Sequence, residues 1–165
     1  MIKMNLSNLN KLYENNKKLD EIFLEKYKNT DNLFEKNCLE LIVEIGEFLN
    51  ETKIFKYWSC RIPNKTKMLD EYADIITMIF TFYGQLNLKI ESSSFQVAKK
   101  DLIKLFNELY ILATKLMTDF NEKLIRKIFD YTIAIGQAFN FSEEEIFKAI
   151  ELKQNIIQNR LNSRY

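Results

Sequence analysis

Along nearly the whole chain the apolar residues recur at intervals of three and four, the spacing of one face of an α-helix. Little in the sequence can interrupt that pattern. The 165 residues include 3 glycines and 1 proline, where average usage would supply roughly 12 and 8. A β-sandwich or barrel joins many short strands through Gly/Pro turns, and this chain has too few of either. The expected fold class is therefore all-α: one domain over 1–165, a compact bundle of about six helices. The spacing predicts helices over about 5–28, 32–54, 66–87, 94–118, 121–139 and 143–160. The first would turn Leu9, Leu12, Tyr13, Leu19, Ile22 and Phe23 inward. Asn29-Thr30-Asp31 ends it, and a loop holding Pro63, the sole proline, follows the second. Ser92-Ser93-Ser94 offers a cap for the fourth helix, and Ser142 with Glu145 forms a capping box for the sixth. The aromatics Phe80, Phe82, Tyr83, Phe106, Tyr110, Phe129 and Tyr131 read as core.

Composition then removes whole classes of function. There is no histidine, so Ser-His-Asp and Cys-His catalysis and every His-containing zinc site are excluded. No Gly-rich phosphate loop is present. The formal charge is +1, which gives no global basic field for DNA or RNA. Cys38 and Cys60 form no metal or redox motif and suit a reducing compartment. The start lacks an apolar leader segment, and no uninterrupted apolar run reaches about 18 residues. The expectation is a soluble cytoplasmic protein with no membrane partner.

Charge placement on two helices is more specific. At 100° per residue, Glu40, Glu44, Glu47 and Glu51 fall within an arc of about 60°. Leu41, Ile42, Val43, Ile45, Phe48 and Leu49 occupy most of the remaining girth, and no Lys or Arg lies between Cys38 and Thr52. A charge run is usually a solvated face. Such faces, however, normally alternate Glu with Lys at i,i+4, because like charges there repel. A helix this apolar is also expected deep in a bundle, where unpaired carboxylates are costly. On the third helix Glu71 and Asp74 share a face, with Asp70, Thr77 and Thr81 nearby. Packed antiparallel, the two helices would point Glu44 and Glu47 at Glu71 and Asp74. Four converging carboxylates make an oxygen-only site of the kind Mg²⁺ or Mn²⁺ prefers. Two-helix di-iron sites use Glu-x-x-His, which a chain without histidine cannot supply.

The pattern Glu-x-x-Glu followed by Glu-x-x-Asp resembles the MazG-like all-α nucleoside triphosphate pyrophosphatases. The strings ELIVEIGEFLNETKIFKYWS at 40–59 and LDEYADIITMIF at 69–80 resemble, more narrowly, the dimeric all-α dUTPases. KKLDEI at 17–22 is similar to that family's first-helix signature. Lys153, Arg160 and Tyr165 keep the spacing of its C-terminal phosphate-binding motif. The stretch at roughly 85–140 adds nothing to the likeness.

The resemblance implies that Glu44, Glu47, Glu71 and Asp74 bind Mg²⁺, with Mn²⁺ as a possible substitute. It makes Lys56, Lys153 and Arg160 candidates for the phosphate chain. It places Trp58 near the substrate, with a packing role as the alternative, and leaves Lys53 as a phosphate contact or a surface lysine. Asn16 stands where the family has a uracil-reading Gln, and Ile157 where it has a nucleoside-contacting Asn. The implied activity is hydrolysis of dUTP to dUMP and pyrophosphate, with Glu47, or else Glu44, activating the water. The implied assembly is a homodimer. Two rivals stand beside it: a pyrophosphatase for dCTP or a modified nucleotide, and a non-catalytic regulatory protein on the same scaffold.

Overall fold

The structure is a computed structural model, described over residues 4–91 and 101–163. Six helices and no strands occur among these residues. They are α1 (Leu6–Lys26), α2 (Leu33–Thr52), α3 (Lys65–Gln85), α4 (Leu102–Lys115), α5 (Glu122–Ala138) and α6 (Glu143–Asn162). The boundaries follow from local chemistry. Asn5, Asn64, Asp101 and Asn121 each accept a hydrogen bond from the first turn of the helix they open. At α6 the Ser142–Glu145 capping box is present in both directions. The serines at 92–94 lie outside the described residues, and α4 starts at Leu102 under its Asp101 cap. No helix among the described residues is long and apolar enough to cross a membrane.

The bundle is organised around α3, which packs against α1, α2, α5 and α6. Ten of its residues are buried, from Met68 to Tyr83, and apolar side chains cover more than half of its circumference, leaving a polar face with Asp70, Asp74, Thr77 and Thr81. Phe48, Tyr72, Phe106, Phe139 and Phe141 meet beside it, with ring centroids 5.4 Å apart for Tyr72–Phe141 and 5.5 Å for Phe48–Tyr72. Of the aromatics expected in the core, Phe80, Phe82, Tyr83, Phe106, Phe129 and Tyr131 are buried, while Tyr110 packs half-buried at its edge.

Two expectations about burial are corrected. Ile22 and Phe23 are exposed; Phe23 lines a cavity under the last turns of α1 instead of the core. Phe23 packs against Tyr27 there, with ring centroids 4.5 Å apart and the planes tilted by 45°. Likewise α2 is not sunk deep in this chain. Leu41, Ile45 and Phe48 are buried, but Leu39 and Val43 are each 54% exposed. The helix thus has a core face, a carboxylate face and an exposed apolar strip.

Glycine decides two close approaches. A Cβ on Gly46 would lie 3.1 Å from the Tyr110 hydroxyl of α4. A Cβ on Gly136 would lie 2.6 Å from the Tyr72 hydroxyl, the group that donates to the Thr132 carbonyl at 3.0 Å. Tyr72 is fully buried and cannot withdraw. Gly136→Ala is therefore expected to destabilise the protein by about 1–3 kcal/mol through overpacking. Chemical denaturation of the variant measures this directly.

Candidate active site

The carboxylates stand where α2 and α3 cross the same layer. Carboxylate oxygens of Glu44, Glu47 and Glu71 lie within 4.8 Å of one another. Charges are felt between Glu47 and Glu71 and, further along, between Glu40 and Asp74. Residue number rises on one helix as it falls on the other, so the pair is antiparallel. Glu47 is the exposed member of the trio, and Glu44 and Glu71 are half-buried. Glu44 Oε2 is sealed from solvent and has no hydrogen-bond partner among the described residues. Burial, and then Asp74, Glu47, Glu40 and Glu71, push the Glu44 carboxyl up to about 8. Glu71 is raised by burial, Glu47 and Asp74, with Lys153 opposing.

Asp74 is held differently. Its Oδ2 lies 2.7 Å from Lys153 Nζ, which also reaches Asp70 at 3.2 Å. Burial works against the Lys153 charge, but the two aspartates outweigh it and hold the ammonium above its usual range. Burial raises Asp74, and Lys153 limits the rise. Three of the four expected ligands thus converge, and the fourth is tied to a lysine of α6. Glu51, the last carboxylate of the α2 stripe, pairs instead with Lys53 at 3.4 Å.

A cavity of about 660 Å³ lies further along the same helices; Glu40 of the acidic stripe lines it, and none of the four expected ligands does. It lies between α1, the start of α2, the second half of α3 and the end of α6. Asn16, Asp20, Glu40, Thr81, Ile157 and Arg160 are among its walls. On α6, Lys153 and Arg160 are seven residues apart and so share a face. One sits at the carboxylates and the other at the cavity. The Arg160 side chain forms no ion pair among the described residues. Ile157 gives the cavity an apolar wall where the resemblance implies an amide.

At the inner wall, Asn16 is 2% exposed. Its Nδ2 donates to Asp20 Oδ2 at 3.1 Å and to the Thr77 carbonyl at 3.3 Å. Burial lifts the Asp20 carboxyl to about 6, against hydrogen bonds from Thr81 and Asn16 that lower it. In the sequence, Asp20 stands out only as part of the KKLDEI signature at 17–22. Its i,i+4 relation to Asn16 was the available signal, since it places both on one face of α1.

The other two expected site residues lie in the α2–α3 connection. Lys56 is hydrogen-bonded to Asn50 and sits over the Phe55 ring. Trp58 is 64% exposed and packs edge-on to Phe55 and Tyr57. Neither forms a hydrogen bond or ion pair with the carboxylate cluster among the described residues. Tyr165 lies outside the described residues.

The arrangement joins an acidic, partly desolvated cluster to a cavity with an amide at one wall and a free guanidinium at another. A search of curated proteins finds no match to the chain. A family model described as dUTPase matches residues 8–165, nearly the whole chain and both halves of this site. The chain belongs to the dUTPase family in its all-α form, and its activity is hydrolysis of dUTP.

Proposed function

We propose that dUTP lies with its triphosphate at Glu44, Glu47, Glu71 and Asp74 and its base in the cavity against Asn16, and that its hydrolysis to dUMP and pyrophosphate depends on Mg²⁺. The observation that carries this reading is the orphaned, buried oxygen of Glu44 amid other carboxylates. An acidic group desolvated among like charges is costly unless a cation completes it. The oxygen-only donor set fits a hard divalent ion, Mg²⁺ or in its place Mn²⁺. Glu44, Glu47, Glu71 and Asp74 would hold it. Such an ion supplies positive charge that attracts phosphate oxygens and stabilises the transferring phosphoryl group.

The remaining chemistry belongs to the protein. Glu47, the exposed member of the trio, accepts a proton from the attacking water. The water oxygen bonds to phosphorus, the P–O bond to the departing pyrophosphate breaks, and the proton passes on to solvent. Glu44 is the alternative base. Lys153 and Arg160 bind phosphate oxygens from one face of α6, the guanidinium with a two-pronged geometry. Lys56 and Trp58, in the loop between α2 and α3, are the remaining candidates for the phosphate chain and the nucleoside. Asn16 supplies an amide to the base.

The assembly is a homodimer in this reading. It is supported by Leu39 and Val43 on α2 and Ile103 and Ile111 on α4, all exposed on two helices that pack together. Free thiols at buried Cys38 and exposed Cys60 suit a cytoplasmic setting.

Product analysis tests the proposal. With Mg²⁺, dUTP should yield dUMP and pyrophosphate in equal amounts, and a chelator should stop turnover. Formation of dUDP and phosphate, or undiminished turnover in chelator, would overturn it.

A further inference from the structure

The cavity wall at Asn16 carries a second level of organisation. The Asn16 side chain is buried yet borders the cavity. Its Nδ2 faces three oxygens: Asp20 Oδ2 at 3.1 Å, the Thr77 carbonyl at 3.3 Å and Thr81 Oγ1 at 3.4 Å. Its Oδ1 accepts no hydrogen bond from any described residue. Nor is that oxygen among the polar atoms sealed from solvent without a partner. It is open to the cavity.

An asparagine amide has two orientations that exchange oxygen and nitrogen, and its neighbours select between them. Here the selection is one-sided. The Thr77 carbonyl can only accept. Asp20, held up to about 6 by burial, is ionised at neutral pH and also only accepts. Thr81 reinforces this, because its hydroxyl lies 3.1 Å from Asp20 Oδ1 and can donate its proton there. Turning the amide over would set its oxygen against a carboxylate and a carbonyl.

We infer that Asp20 is a positioning residue for base selection: it locks the Asn16 amide with the oxygen towards the cavity, so that the pocket accepts a pyrimidine with a protonated N3 and rejects one with a bare N3. Uracil carries a hydrogen on N3, whereas cytosine presents a lone pair there, which would face the Asn16 oxygen. This rests on the proposed placement of the base against Asn16. It adds a residue that touches the base only through another side chain.

Asp20→Asn is the informative variant. It keeps the shape of the side chain but offers an amide, which can donate to Asn16 Oδ1 and so permits the reversed orientation. kcat and KM for dUTP and dCTP are measured on the wild type, Asp20→Asn and Asp20→Ala. The expected result is a wild type that prefers dUTP and an Asp20→Asn variant whose preference falls by about tenfold or more, mostly through KM. Asp20→Ala, which removes the acceptor without supplying a donor, should also lose preference, but less. A merely structural role would lower kcat/KM for both substrates in proportion. If both variants kept the wild-type ratio, the positioning role of Asp20 would be wrong while the base site stood. If the wild type itself failed to prefer dUTP, the placement of the base at Asn16 would fall first.

Discussion

Glu47→Gln should reduce dUTP turnover by about two to four orders of magnitude while leaving the helical fold intact. Glutamine keeps the shape of the side chain, and Glu47 is exposed, so nothing in the core depends on its charge. What is lost is a carboxylate oxygen of the trio and, in the proposed mechanism, the proton acceptor for the attacking water. Asp74→Asn should be similarly damaging for a different reason. Its carboxylate is ion-paired with Lys153 at 2.7 Å, so the change removes a proposed ligand and leaves Lys153, the proposed phosphate contact, held by Asp70 alone. Steady-state turnover, with circular dichroism as the fold control, decides both. Near-wild-type hydrolysis by either variant would show that the carboxylate site is misassigned.

The second large effect is on stability, and its sign depends on the cation. Without divalent ions, Glu44→Gln should raise the melting temperature. Its carboxylate is half-buried, has one orphaned oxygen, and is repelled by Asp74, Glu47, Glu40 and Glu71. With its carboxyl held up to about 8, Glu44 must take up a proton when the chain folds at neutral pH, a cost that a neutral amide avoids. With Mg²⁺ the order should reverse. A ligand present at about ten times its dissociation constant stabilises the folded state by about 1.4 kcal/mol. For a domain of this size that corresponds to a rise of about 3–6 °C. The wild type should show this rise and Glu44→Gln should lose most of it. Differential scanning calorimetry with and without Mg²⁺ reads both arms. A wild type indifferent to millimolar Mg²⁺ would remove the basis for the proposed metal dependence.

Residues 40–51 show what a sequence reveals and what it withholds. The rotation of 100° per residue places Glu40, Glu44, Glu47 and Glu51 on one stripe, and the helix forms over that segment. The stripe does not act as a unit. Glu44 and Glu47 meet Glu71, whereas Glu51 turns to Lys53. Which member meets which partner depends on where α3 crosses α2, and helical periodicity carries no information about that crossing. For the same reason the exposure of Val43, Ile22 and Phe23 was not legible. An apolar residue at helical spacing is assigned to a face, but only the packed neighbours decide whether that face is covered.

The basic residues divide in the same way. Lys153 and Arg160 were legible through the resemblance of the C-terminal stretch to the family's phosphate-binding motif, and their spacing of seven puts them on one face of α6. Their present partners were not: Lys153 is bound to Asp70 and Asp74, and Arg160 stands at the cavity. Lys56 and Trp58 follow the acidic helix directly in sequence, yet the loop carries them to Asn50 and Phe55.

By itself, then, the sequence determined the helices, the Ser142–Glu145 capping box, the exclusion of histidine and Gly-loop chemistry, and the carboxylate face of α2. These are local properties, set by backbone geometry and by neighbours a few residues away. Only the tertiary structure decided that Glu44 has an orphaned oxygen, that Lys153 clamps Asp74, and that Asp20 and Thr77 hold the Asn16 amide in one orientation. These depend on desolvation and on contacts between helices distant in sequence, and both arise only when the faces close on one another.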